Sequence, residues 1–149
     1  MGGSFLSLRK VLVTGGAGYI GSSLVPLLLR QGFSVTVFDD LSYGNYGIRK
    51  YLSKIDLIEG DVGNLELLKK SAIGSYAIIH LAGTSGDPSC DLDPKKCAKD
   101  NYESTKNIVE ICKEFEISRL AFASSCSVYG AQDGMVDEDS KPNPLTLYA

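Results

Sequence analysis

A glycine-rich turn is the part of this sequence whose residue types and spacing are best suited to chemistry. Gly15, Gly18 and Gly21 fit the pattern GxxGxxG, and Gly16 with the last two also fits GxGxxG. Such positions require glycine for a tight turn, for close approach of the backbone to a pyrophosphate and for close packing of a helix. A helical pattern begins at Tyr19, so free N–H groups at its start would hold phosphates. The turn predicts a dinucleotide-binding site.

A pair of carboxylates follows the next strand-like run, residues 34–38. Asp39 lies 18 residues after Gly21, close to the roughly 20 residues at which a carboxylate accepts the ribose hydroxyls of a dinucleotide. A carboxylate there would repel the 2′-phosphate of NADP, and no arginine is adjacent in the sequence to offset it. We therefore expect NAD as the cofactor. The alternative is that Asp39 and Asp40 only open a polar loop, because such turns are often acidic.

Short apolar runs alternate with helical patterns along the chain. These predicted strands and helices would position the glycine turn and Asp39. The runs show little polar–apolar alternation, which is typical of parallel strands covered on both faces. Strands are predicted at 10–14, 34–38, 55–59, 76–81 and 119–124, and helices at 19–31, 46–52, 64–72 and 94–115. Right-handed crossovers then predict an α/β fold, a doubly wound parallel sheet (Rossmann fold) with strand order 3-2-1-4-5. Pro26 is expected to bend the first helix without ending it.

Composition narrows the class of protein. The chain has 149 residues, a net charge of −3, 44% hydrophobic and 22% charged residues, which suits one globular domain. The densest basic cluster, Lys95, Lys96 and Lys99, reads as a solvated helix face, so no nucleic-acid partner is expected. No stretch approaches the roughly 20 apolar residues that span a bilayer, and the N-terminal residues lack a signal-peptide pattern. We therefore expect a cytoplasmic protein without a membrane partner.

The four cysteines support the same expectation. Cys90, Cys97, Cys112 and Cys126 contain no CxxC pair, and the predicted strands and helices need no covalent staples. Reduced thiols in a cytoplasm are therefore the simplest account, and no metal site is expected.

Further motifs follow the glycine turn and Asp39 in order, at Gly60–Val62, His80–Gly83, Ala123–Gly130 and Leu147–Ala149. Taken together, the motifs resemble the extended short-chain dehydrogenase/reductase family, in its group of NAD-dependent epimerases and dehydratases of nucleotide sugars. The resemblance extends from Lys10 to Ala149. It implies cofactor contacts at Gly15, Gly18, Tyr19, Ile20, Gly21, Asp39, Asp40, Asp61, Val62, Leu81, Ala82, Gly83 and Asn101. Asp61 and Val62 would lie beside the adenine, and Ser104 replaces the glycine usual three residues after Asn101.

The resemblance also implies the catalytic residues. The hydroxyl of Ser125 would bond the reacting oxygen of the substrate, and the phenolate of Tyr148 would remove a sugar hydroxyl proton as NAD⁺ takes hydride. Lowering a tyrosine pKa from near 10 to about 7 requires roughly 4 kcal/mol, which the family supplies with a lysine four residues later and the nicotinamide ring. His80, the only histidine, is expected to be structural because it precedes the end of an apolar strand.

The chain ends one residue after Tyr148, before the position of that lysine. We therefore expect a fragment of a longer, homodimeric enzyme, truncated before the last strands and the substrate lobe. Residues 1–149 would form its NAD-binding domain and would be inactive alone. The predicted function is epimerisation or dehydration of a nucleotide sugar through a transient keto intermediate. Two alternatives stay open: a non-catalytic NAD-binding sensor or interaction module, and a one-way nucleotide-sugar ketoreductase.

Overall fold

The centre of the molecule is a five-stranded sheet. In a computed structural model that describes residues 8–149, all neighbouring strands are parallel and follow the order β3-β2-β1-β4-β5. The strands are β1 (Lys10–Thr14), β2 (Ser34–Asp39), β3 (Ile55–Glu59), β4 (Ser75–His80) and β5 (Leu120–Phe122). The doubly wound Rossmann fold and its predicted strand order are confirmed, with strand ends within two residues of the predicted ones.

Helices connect the strands. They are α1 (Tyr19–Arg30), α2 (Leu65–Ala72), α3 (Asp87–Leu92), α4 (Pro94–Cys97) and α5 (Ser104–Glu114), with a π-helical segment at Ala98–Glu103 and 3₁₀ turns at Arg49–Lys54 and Cys126–Tyr129. The helix predicted at 94–115 is therefore interrupted by a π-helical turn. The helix predicted at 46–52 is wrong, because a 3₁₀ turn begins only at Arg49. α3 was not predicted, since Gly86 and Pro88 indicate a loop although Pro88 is acceptable in the first turn of a helix.

Both faces of the sheet are buried, because its central strands are apolar at consecutive positions. Leu12 points to one side, where it packs with Phe38 and with Ile108 of α5. Val11 and Val13 point to the other side, where they pack with Val25 of α1. This two-sided burial explains why the strands lack polar–apolar alternation. It also holds the carboxyl ends of the strands in place, and so positions the turns that follow them.

α1 continues through Pro26 to Arg30, as predicted. Among the described residues, no helix is both long enough and apolar enough to cross a membrane.

Cys90 and Cys97 form a disulfide, with their Cα atoms 5.0 Å apart. The expectation of four reduced thiols is therefore wrong for this pair. The two cysteines are close because α3 turns directly into α4 at Asp93, which accepts from the N–H of Lys96 as the N-cap of α4. Sequence reasoning missed α3 and therefore missed the contact. Cys112 and Cys126 are free, the first buried and the second exposed.

Candidate functional site: a cleft at the carboxyl edge of the sheet

A cleft of about 710 Å³ lies where β1, β2, β3 and β4 end. This is the edge at which open parallel sheets hold their ligands, since the strand order reverses between β1 and β4. Every cofactor residue predicted from the sequence lines the cleft except Gly21 and Asn101. The cleft therefore brings together residues that are more than sixty positions apart in the chain.

The glycine turn passes between two strand ends. Gly15 has a φ of +68°, and its N–H donates to the carbonyl oxygen of Phe38 at 2.8 Å. A Cβ on Gly15 would lie 2.6 Å from the backbone nitrogen of Ala82, which is far too close. A Cβ on Gly21 would lie 2.4 Å from the carbonyl oxygen of Gly16. Gly21 thus seats the first turn of α1 on the glycine loop rather than lining the cleft.

The N-terminus of α1 opens into the same cleft. Gly18 precedes the helix without a side-chain cap, and the first turn carries no acidic side chain. Tyr19 and Ile20 line the cleft and are 95% and 58% exposed. The first N–H groups of a helix have no partner within it and lie at the positive end of its dipole. This end of α1 can therefore bind an anionic group such as a phosphate.

Asp39 ties the glycine turn to the loop that follows β2. Its Oδ2 accepts from the N–H of Ala17 at 2.9 Å, and its Oδ1 accepts from the N–H of Leu41 at 2.9 Å. Each carboxylate oxygen has a second lone pair, so the group can still accept from a ligand hydroxyl. In neighbouring Asp40, partial burial acts to raise the pKa, but hydrogen bonds from Ser42 outweigh it and lower the pKa. Asp40 is therefore a carboxylate at neutral pH.

The far end of the cleft is formed after β3 and β4. Asp61 Oδ1 accepts from the N–H of Gly63 at 2.6 Å and lies 3.5 Å from the ammonium of Lys99. Asn101 holds the chain after β4: its Oδ1 accepts from the N–H of Thr84 at 2.8 Å, and its Nδ2 donates to the carbonyl of Thr84 at 2.9 Å. A Cβ on Gly83 would lie 2.5 Å from Asn101 Oδ1. Asn101 therefore holds the part of the cleft wall formed by Gly83 and Thr84, without lining the cleft itself.

Lys96 and Asp100 are among the lining residues that the sequence did not assign to the cleft, and they lie beside Thr84. Lys96 was expected on a solvated helix face, but it lines the cleft. The ammonium of Lys96 forms an ion pair with Asp100 Oδ2, which also accepts from Thr84 Oγ1 at 3.0 Å. The helical i, i+4 spacing of Lys96 and Asp100 was the signal for their contact. No sequence signal placed the pair in the cleft, because its position depends on the unpredicted helix α3 and on the π-helical segment.

His80 lies behind the cleft and does not line it. Its Nδ1 is 2.6 Å from Thr14 Oγ1, and its Nε2 is 3.3 Å from Ser104 Oγ. Thr14 Oγ1 in turn accepts from the N–H of Ala82 at 3.3 Å. Burial lowers the pKa of His80 to about 4, so the ring is neutral at physiological pH. These contacts give His80 a role in joining β1, β4 and α5.

The predicted catalytic residues lie outside the cleft lining. Ser125 Oγ accepts from the N–H of Ser127 at 3.1 Å and caps the 3₁₀ turn Cys126–Tyr129. Tyr148 follows Thr146, whose hydroxyl donates to Asp87 at 2.6 Å. No hydrogen bond joins Ser125 and Tyr148 among residues 8–149. Their catalytic roles remain predictions. In the same range, no group of three or more His, Cys, Asp or Glu side chains is arranged to hold a metal ion.

The fold and the cleft define a Rossmann-type α/β domain with the features of a dinucleotide site. Residues 11–149 match the NAD dependent epimerase/dehydratase family, and the chain belongs to that family.

Individual relatives agree with this assignment. The UDP-glucose 4-epimerase of Azospirillum brasilense is 33% identical over 143 residues, covering 93% of this chain and 40% of that protein. The ADP-L-glycero-D-manno-heptose-6-epimerase of Brachyspira hyodysenteriae is 39% identical over 146 residues, covering 93% and 44%. The crystal structure of UDP-glucose 4-epimerase from Brucella ovis in complex with NAD matches 94% of this chain and 43% of that one, at 31% identity and a TM-score of 0.84. The chain thus spans less than half the length of these relatives.

Proposed function

We propose that residues 1–149 form the NAD-binding portion of an epimerase or dehydratase that acts on a nucleotide sugar through a transient keto intermediate. The observation that carries the proposal is the contact between the glycine turn and Asp39, in which the N–H of Ala17 donates to Asp39 Oδ2 at 2.9 Å. It sets a carboxylate suited to ribose hydroxyls next to a turn suited to a pyrophosphate. Membership of the NAD dependent epimerase/dehydratase family supports this reaction class.

The cleft residues fit NAD. Gly15 and Gly18 leave the backbone open to the pyrophosphate, and the uncapped start of α1 offers N–H donors to it. Asp39 would accept from the adenosine ribose, while Asp61 and Val62 would lie beside the adenine. The carboxylates of Asp39 and Asp40 disfavour the additional phosphate of NADP. When bound, NAD supplies a reversible hydride acceptor for a carbon of the sugar.

Ser125 and Tyr148 are our proposed catalytic groups. Ser125 would donate a hydrogen bond to the reacting oxygen, and Tyr148 would take the proton of the sugar hydroxyl as general base. The proposal is supported by the family match, which covers residues 11–149 and so includes both residues. With the cleft and the catalytic groups on separate segments, we propose that residues 1–149 alone bind NAD but turn over little or no substrate.

The substrate class is a nucleoside diphosphate sugar. The relatives act on sugars carried by different nucleotides and at different carbons, since one is a UDP-glucose 4-epimerase and another an ADP-heptose 6-epimerase. A homodimeric assembly and a cytoplasmic location stay predictions.

The test is turnover by the protein extended past residue 149, with NAD and either UDP-glucose or ADP-L-glycero-D-manno-heptose, followed by NMR of the sugar. We expect an epimer or a dehydrated sugar without net change in NADH, and loss of this activity in Tyr148→Phe. Net consumption of NADH would instead identify a ketoreductase. NAD binding without conversion of any nucleotide sugar would favour a sensor. Full activity from residues 1–149 alone would overturn their assignment as the cofactor-binding portion.

A further inference from the structure

The charges along the cleft are unbalanced for a site that binds an anion. Four carboxylates line it, those of Asp39, Asp40, Asp61 and Asp100. Lys96 is the only basic side chain that lines it within residues 8–149. A dinucleotide brings further negative charge on its phosphates, so its binding requires donors and positive charge to offset these carboxylates. The start of α1 supplies backbone N–H groups but only a partial charge.

Lys96 is held in the cleft by contacts at both ends. Its backbone N–H donates to the N-cap Asp93 at 2.9 Å, which fixes the residue in the first turn of α4. Its ammonium pairs with Asp100, whose side chain is only 8% exposed, and Thr84 bonds the same carboxylate oxygen. The buried carboxylate of Asp100 therefore fixes the position of the Lys96 ammonium. The Lys96 side chain itself is 51% exposed, so a ligand can reach it.

The ammonium keeps both charge and donors for a ligand. The hydrogen bond with Asp100 raises the pKa of Lys96, and the more distant carboxylates of Asp61 and Asp40 act in the same direction. An ammonium has three N–H donors, and Asp100 takes one. No other hydrogen bond of Lys96 Nζ occurs in the described part of the chain. The Oδ1 of Asp100 is buried without a partner there, which concentrates the contacts of this carboxylate on Oδ2.

We propose that Lys96, aimed by Asp100 and Thr84, is a binding residue for the anionic part of the dinucleotide. The inference rests on the proposed NAD site and adds to it a cation that follows β4 by sixteen residues. Lys96 offers its remaining N–H donors, close to the carboxylates of Asp40 and Asp61, when a phosphate-bearing ligand enters. Asp100 is then a positioning residue, which acts through Lys96.

The test compares Lys96→Met with Lys95→Met, which removes the neighbouring, exposed ammonium that does not line the cleft. Affinity for ADP-ribose is measured by calorimetry at two ionic strengths, and affinity for adenosine by ligand-observed NMR. We expect Lys96→Met to weaken ADP-ribose binding about five- to tenfold, because a charge-assisted hydrogen bond is lost at a partly exposed site. Its salt dependence should also become shallower. Lys95→Met should change the affinity less than twofold, and adenosine should bind equally well to all three proteins.

A purely structural role would give a different pattern. Equal effects of the two substitutions, or an equal loss for adenosine and ADP-ribose, would overturn the inference. Lys96→Met leaves a buried carboxylate unpaired and can therefore unfold the protein. The variant Lys96→Met/Asp100→Asn removes that charge and should show the same selective loss of ADP-ribose. If the unsubstituted protein binds neither NAD nor ADP-ribose, the proposed function itself fails. If it binds both and Lys96→Met matches it, only the inference about Lys96 fails.

Discussion

The cofactor cleft and the segment 123–149 are built in opposite ways. The cleft rests on strand ends whose side chains are buried, such as Thr14 and Phe38, both 0% exposed. The segment 123–149 has no regular strand or α-helix, and Leu145 and Leu147 are 66% and 57% exposed. The first region is thus fixed by the core of the sheet, and the second by a few surface hydrogen bonds. This difference predicts that substitutions in the segment 123–149 leave NAD binding intact, whereas substitutions at the strand ends weaken it.

The largest expected effect comes from filling the glycine turn. Gly15→Ala would place a Cβ against the backbone of Ala82 at a positive φ. We expect no measurable NAD binding and a loss of about 3 kcal/mol in the free energy of unfolding, from strain and overpacking together. Calorimetry with NAD and urea denaturation measure the two effects.

Gly32→Ala is the matched control for this substitution. Gly32 also has a positive φ, of +81°, but nothing lies within 4 Å of its added Cβ. Only the backbone strain remains, so a cost of about 1 kcal/mol and unchanged NAD binding are expected. Equal losses in the two variants would show that the close approach of Gly15 to Ala82 is not required.

The second effect is a pH dependence of the free energy of unfolding, and it arises from His80, which is buried behind the cleft. The pKa of His80 is lowered to about 4 from an ordinary value of 6.5. Between these values the unfolded chain binds a proton that the folded one does not, so stability falls as pH drops through this window. We expect a loss of up to about 3 kcal/mol from this group.

Urea denaturation between pH 7 and pH 4 measures the loss. The same series on His80→Asn subtracts the contribution of the carboxylates, and its slope should be shallower across the window. Parallel slopes in the two proteins would mean that His80 has the same pKa in the folded and the unfolded state.

The third effect tests the carboxylate that joins the turn to β2. Asp39→Asn keeps one acceptor oxygen where two backbone N–H groups, of Ala17 and Leu41, now bind. We expect NAD to bind about tenfold more weakly, because one charge-assisted hydrogen bond is lost. The preference for NAD over NADP should also become smaller. Asp40→Asn is the control for NAD affinity alone, since this carboxylate bonds only to the local turn at Ser42. An equal loss of NAD affinity in both variants would remove the special role of Asp39.

The smallest effect is expected in the exposed segment. Ser125→Ala removes the cap on Ser127, and Tyr148→Phe removes one hydroxyl. Because neither residue lines the cleft, each should change NAD affinity less than twofold. A tenfold loss of NAD affinity in either variant would mean that the two regions are not separable.

The strand order and the placement of the glycine turn and Asp39 at the strand ends could be predicted from the sequence, whereas the placement of Lys96 and Asp100 could not, for a physical reason. The glycine turn and Asp39 are specified by local backbone demands at the ends of strands with clear apolar patterns. Lys96 and Asp100 enter the cleft through α3 and the π-helical segment, whose geometry depends on packing rather than on a residue pattern. The same missed helix hid the contact between Cys90 and Cys97. Ser125 and Tyr148 were assigned by resemblance, and their catalytic roles stay predictions.

Calorimetric titration of the protein with NAD and with NADP tests the central claim most directly. We expect saturable binding of one NAD per chain. NADP should bind at least about tenfold more weakly, because the carboxylates of Asp39 and Asp40 disfavour its 2′-phosphate. Absence of NAD binding, or equal affinity for the two dinucleotides, would contradict it.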